Sequence, residues 1–166
     1  MSMITLNFAD NQYVLAVGDN VYDIKSLKTS YKQAYNLINT YEYDKEKNIY
    51  FYDDMGVYKV LYEIRNNQVI KDYITDTIQN VYDYDQLNGT DYINTLRLYL
   101  KYNGAVNELS EKLFVHRNTI NYRIKKIEKI TNNNLSDFNT RLEFAIAIKL
   151  KDIFENNLNL INLHEK

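Results

Sequence analysis

Ile120, Ile124, Ile127 and Ile130 recur at spacings of four, three and three. At about 100° per residue, only an α-helix gathers those positions onto one stripe. The rhythm therefore predicts a helix with its isoleucines in a core. On the other side of the same cylinder lie Asn118, Asn121, Tyr122, Lys125 and Lys129, with Arg117, Arg123 and Lys126 flanking them. A helix that is apolar on one face, and basic and amide-rich on the other, has the chemistry to lie in a DNA groove: amides pair with base edges and cations with phosphate.

The residues before it supply what such a helix needs. Asn107 to Phe114 reads as a short helix with Leu109 and Leu113 inward, followed by a turn of about three residues and the longer helix from Arg117. That is helix-turn-helix spacing. Ser110 is the small residue where the two helices cross, and Val115 gives the turn an apolar anchor. His116, Arg117, Asn118 and Thr119 open the second helix with groups able to satisfy free amides and approach DNA. Partial protonation of His116 near phosphate would make affinity pH-dependent.

The net charge of −2 hides a strong asymmetry. Residues 1–96 carry 8 Lys/Arg against 14 Asp/Glu, whereas residues 97–129 carry 8 against 3. A local positive field thus sits on one short segment of an otherwise acidic chain. The chain has no Cys, which excludes disulfides and thiolate zinc sites. His116 has only His164 as a second histidine and no carboxylate cluster beside it, so neither a metal site nor a catalytic base is expected. The pairs Asp53/Asp54 and Asp83/Asp85 flank turns and read as caps or solvated loops. No basic leader or membrane-length apolar run is visible, and a cytoplasmic protein with no membrane partner is expected. The 17 Tyr are explained by compositional bias, and Tyr31, Tyr35 and Tyr41 are assigned to a helical core stripe.

Along the rest of the chain, ITLNF and QYVLAV predict a hairpin ending at Gly18. A helix comes next through Ile24, Leu27, Tyr31, Ala34, Tyr35 and Ile38, capped by Asp23. NIYFY is a further strand, Asp54 to Ile64 a short helix, and residues 68–82 another amphipathic helix. Past Gly89 the pattern is all-helical: Thr90 to Asn103 closed by Gly104, the helix-turn-helix pair, and Phe138 to about Asn156 with FAIAI apolar on more than one side. The fold class expected is mainly α with a small N-terminal α/β portion and a C-terminal helix-turn-helix domain. The expected boundary lies in residues 82–89, dividing the chain into 1–85, 86–157 and a tail at 158–166.

Residues 90–150 resemble the C-terminal helix-turn-helix domain of the PucR family of bacterial transcription regulators. The resemblance rests on Leu113, Phe114, Val115, His116, Arg117, Asn118, Thr119, Ile120, Tyr122, Arg123, Ile124 and Ile127. Thr95, Leu96, Tyr99, Leu100 and Gly104 upstream, and Leu135, Asp137, Arg141 and Leu142 downstream, extend it. Ser110 departs from the family's usual alanine but stays small. More weakly, Tyr13 to Gly18, Ser30, Tyr31 and Ala34, the segment of Tyr52, Asp54, Gly56 and Tyr58, and Tyr84 with Asp85 resemble the later part of a GGDEF-like domain. The cyclase signature and the front of that domain are absent from the sequence.

The resemblance implies a sequence-specific transcription regulator rather than an enzyme, with helix 117–130 in the major groove of double-stranded DNA. The expected contact residues are His116, Arg117, Asn118, Thr119, Asn121, Tyr122, Arg123, Lys125 and Lys126, with Arg123, Lys125 and Lys126 mainly on the backbone. A homodimer is expected and no cofactor. A small-molecule effector fits the family, although its sensor is expected to be missing from this chain. The rival expectation is a truncated regulator that pairs with a full-length relative as an interaction module and does not bind DNA productively.

Overall fold

A computed structural model describes residues 3–7, 13–40, 48–65 and 67–164, with the side chains of 4–7, 39–40 and 156–164 excepted. The chain is mainly helical, with one small sheet near its N-terminus. It divides into two compact units, residues 1–66 with 152–166, and residues 67–151.

In the first unit, β1 (Met3–Asn7) pairs antiparallel with β2 (Tyr13–Val17), Thr5 opposite Leu15, as the hairpin reading requires. Helix α1 (Ile24–Thr40) then leads to β3 (Ile49–Phe51), which lies parallel to β2. Asp23 caps α1 as expected: its carboxylate accepts from the Ser26 amide at 2.9 Å and the Ser26 hydroxyl at 2.7 Å. The core gathers Val14, Ala16, Ala34, Leu37, Ile38, Tyr50 and Met55.

The buried face of α1 is not the tyrosine stripe. Ser30, Ala34, Leu37 and Ile38 face inward, whereas Ile24, Leu27, Tyr31 and Tyr35 lie outside. Gly18 decides this. A Cβ there would stand 2.1 Å from the Ser30 carbonyl oxygen, so the backbones meet where a tyrosine could not pass. Tyr31 and Tyr35 stack on each other instead, with centroids 6.5 Å apart. Tyr41 lies outside the described residues. The helix expected over Asp54 to Ile64 is also interrupted: a 3-10 turn (Tyr52–Met55) ends at Gly56, φ 53, before α2 (Tyr58–Ile64) begins.

The second unit begins with α3 (Gln68–Ile74), which continues through a π turn (Thr75–Gln79) into α4 (Asn80–Asn88). The Thr75 and Thr77 hydroxyls donate to the carbonyls of Lys71 and Tyr73, where threonine competes for the helix's own acceptors. Then come α5 (Tyr92–Lys101), α6 (Val106–Leu113), α7 (Arg117–Thr131) and α8 (Phe138–His164), of which the residues up to Lys151 belong to this unit. Their core includes Ile78, Val81, Leu96, Leu109, Ile120, Ile127, Leu135 and Phe144. Within FAIAI, Phe144, Ala147 and Ile148 are buried and Ala145 and Ile146 half-buried.

The two units part at Asn66 and Asn67, whereas the sequence suggested residues 82–89. Asp85 shows why α4 stays with α5. Its carboxylate crosses the turn after Gly89 to accept from the Tyr92 and Ile93 amides, each at 2.8 Å, and from the Thr90 hydroxyl at 2.6 Å. One side chain therefore satisfies the free N–H groups that open α5. Asp85, within the stretch where the sequence placed the boundary, is a cap of α5.

Candidate nucleic-acid interface

Helix α6 ends in a left-handed residue, Phe114 (φ 53), whose amide donates to the Glu111 carbonyl; the Val115 amide donates to the Ser110 carbonyl at 3.1 Å. This Schellman closure turns the chain toward α7 within three residues. At the start of α7, His116 is extended (ψ 144), and its Nδ1 accepts from the Asn118 amide at 3.2 Å. The Nδ1 lone pair of His116 thus takes the place of the usual N-cap oxygen, satisfying one of the free amides of the first turn. The expected role at the helix start has a geometric basis.

The isoleucine stripe is where the periodicity puts it. Ile120, Ile124 and Ile127 are buried and Ile130 half-buried. His116, Arg117, Asn118, Thr119, Asn121, Tyr122, Lys125 and Lys129 are exposed. Donors for phosphate and amides for base edges thus share the outer face of one helix.

Two of the nine expected contact residues have side-chain partners on other helices of the domain. The Arg123 Nη1 donates to Thr95 Oγ1 at 3.1 Å, and Thr95 is fully buried on α5. The Lys126 ammonium stands 5.1 Å from the centroid of the Tyr84 ring on α4. Tyr84 in turn stacks on Tyr92 at 5.5 Å. Both cations are half-buried. They tie α7 to α4 and α5, and that positioning role was invisible in the periodicity because the partners lie on other helices.

The turn after α7 repeats the logic of the others. Asn132 adopts φ 53, and Glu128 accepts from the Leu135 amide at 2.9 Å, drawing the loop back onto α7. Arg141 donates to the carbonyls of Leu135 and Ser136 at 3.0 and 2.8 Å. Asp137 caps α8 by accepting from the Thr140 amide at 2.8 Å, which holds its carboxyl below the usual range. Ser110 is half-buried, and its hydroxyl donates to its own helix at Asn107.

One carboxylate of each acidic pair holds a nearby side chain. Asp53 pairs with Lys59 at 3.0 Å and Asp83 accepts from Gln79 at 2.8 Å. Among the described residues, no three His, Cys, Asp or Glu side chains gather into a group able to hold a metal. No helix among them is long and apolar enough to cross a membrane.

Two short helices joined by a three-residue turn, the second packed by one stripe and basic outside, define a helix-turn-helix domain. Residues 92–150 match the PucR C-terminal helix-turn-helix domain. The chain is 31% identical over 138 residues to the proline-responsive transcriptional activator PutR of Bacillus subtilis, covering 82% of this chain and 34% of that protein. It is 24% identical over 139 residues to the DNA-binding transcriptional activator AdeR of the same organism, covering 82% and 33%. The carbohydrate diacid regulator of Escherichia coli is 28% identical over 107 residues, covering 64% and 27%. The chain spans about a third of the length of the first two of these relatives. Together the match and the relatives support the PucR family.

Proposed function

We propose that this chain is a sequence-specific DNA-binding transcription regulator of the PucR/CdaR type, cytoplasmic and without enzymatic activity. The observation that carries the reading is the outer face of α7. Arg117, Asn118, Thr119, Asn121, Tyr122 and Lys125 stand exposed together, opposite the buried Ile120, Ile124 and Ile127. Such a face suits the major groove, with Asn118 and Asn121 reading adenine edges and Arg117 and Lys125 meeting phosphate or guanine. His116, at the N-cap, orients the first turn of the helix toward the groove.

A homodimer on a roughly palindromic site accompanies this reading, with half-sites about 34 Å apart or a multiple of that. The parallel arrangement of β2, α1 and β3 supports reading the first unit as the later part of a GGDEF-like domain.

Fluorescence anisotropy on duplex DNA tests the function. Affinity should fall with salt at a slope of roughly −0.9 per phosphate contact. No salt-sensitive binding to a broad pool of duplexes would overturn the proposal. The interaction-module reading gains from one observation, the outward apolar stripe of Ile24, Leu27 and Tyr31 on α1. Co-purification with a full-length relative, together with no duplex binding, would favour it.

A further inference from the structure

Among the described residues, positive φ occurs at Gly56, Gly89, Asn103, Gly104, Phe114 and Asn132. Five of the six are glycine or asparagine, the residues that enter the left-handed region most readily. Phe114 is the exception. It sits just past the end of α6, where the chain uses Gly89 after α4 and Asn132 after α7. At such a site a Cβ crowds the following carbonyl, and for a bulky residue the conformation is a true outlier.

The fold gains nothing visible for that cost. The Phe114 side chain is 95% exposed, so its ring does not join the core. A glycine would close the same turn with less strain and leave no aromatic in water. Strain kept without packing points to a use outside the fold.

The surroundings indicate what kind of partner. The nearest exposed residues along the chain are Glu111, Lys112, His116 and Arg117, all polar, two of them cations. A protein-docking site would be expected to offer a contiguous apolar patch. A single exposed ring between the cations Lys112 and Arg117 matches a duplex instead, where anionic phosphates alternate with apolar sugars and thymine methyl groups. Phe114 also lies three residues before Arg117, at the end of α7 assigned above to the groove.

Resting on that functional reading, we propose that Phe114 is an apolar DNA-contact residue, its ring lying on the sugar and thymine-methyl edge at the rim of the groove that α7 enters. The contact adds affinity without adding charge.

The test compares the full chain with Phe114→Gly and Phe114→Leu on a labelled duplex pool with a randomised centre, at several salt concentrations. Glycine should weaken binding about tenfold, as expected for losing part of a buried phenyl surface, with the salt slope unchanged. Leucine should fall between. Thermal melting controls for folding: Phe114→Gly should melt at or above the wild-type temperature. The same pool with deoxyuridine in place of thymidine distinguishes the two surfaces. A wild-type advantage that persists there assigns the contact to sugar, and one that vanishes assigns it to the methyl groups.

Equal affinity of wild type and Phe114→Gly overturns the inference while leaving the DNA-binding reading standing. A lower melting temperature, or a slope reduced by about one, also overturns it, because the ring would then be supporting the fold or a phosphate contact. A wild-type chain that binds no duplex overturns both.

Discussion

Arg123 on α7 and Thr95 on α5, 28 residues apart in sequence, meet through a 3.1 Å hydrogen bond from the guanidinium to a fully buried hydroxyl. The Thr95 hydroxyl in turn donates to the Asp91 carbonyl at 3.0 Å. A cation that the charge pattern assigns to DNA is therefore also a strut between two helices of the domain. Its loss and the loss of its exposed neighbour Lys125 should look different in experiment.

Arg123→Gln should lower stability by about 1–2 kcal/mol, the usual cost of a charged hydrogen bond, while leaving the salt slope of DNA binding nearly unchanged. Lys125→Gln should do the reverse, with little change in melting and a slope reduced by roughly 0.9. Thermal melts paired with anisotropy titrations separate them. Equal slope losses would place both side chains on phosphate.

Asp85→Ala should destabilise the second unit by about 1–3 kcal/mol, because two amide N–H groups and one hydroxyl lose a shared acceptor. In a domain of this size each kcal/mol moves the melting temperature by roughly 4–8 °C. Asp85→Asn, which keeps one acceptor oxygen, should recover part of the loss. A melting temperature unaffected by Asp85→Ala would argue against the cap.

Gly18→Ala should be among the more damaging single-methyl additions in the first unit. The new Cβ would have to displace the Ser30 backbone, which it approaches to 2.1 Å. Backbone cannot swing aside as a side chain does, so the expected cost is above about 2 kcal/mol. Circular dichroism melts and proteolysis would register it. Tyr31→Ala, on the outer face of the same helix, should cost under about 1 kcal/mol.

Asp137 and Asp23 both have carboxyl groups held below their ordinary value by hydrogen bonds from the residues they cap. A depressed folded-state pKa means that the unfolded chain takes up the proton first. The caps therefore stabilise fully above the ordinary carboxylate value of 3.8, and the benefit disappears as pH falls through the folded value. Acid unfolding should begin at higher pH in wild type than in Asp137→Asn, whose cap does not titrate. An identical pH dependence in the two would contradict the linkage.

The sequence by itself determined the local elements around the site. The isoleucine spacing set both the length of α7 and its buried stripe, and the hairpin, α1 with its Asp23 cap and the spacing of α6 and α7 were equally legible. These are periodic or short-range features, decided by residues within a turn or two of each other. Helix α1 marks where that stops. It carries two apolar stripes, and nothing local ranks Tyr31 and Tyr35 below Ala34 and Leu37 for burial. The close approach of Gly18 to Ser30 made the choice, since backbone contact requires the small side of the helix. The same holds for Arg123, Lys126 and Asp85. Arg123 and Lys126 are read from sequence as phosphate contacts and Asp85 as a cap or a solvated loop; the partners that Arg123 and Lys126 find on α5 and α4, and the amides that Asp85 reaches across the turn, appear only once the helices pack. Periodicity assigns a side chain to a face, but the partner waiting on that face is decided by tertiary structure.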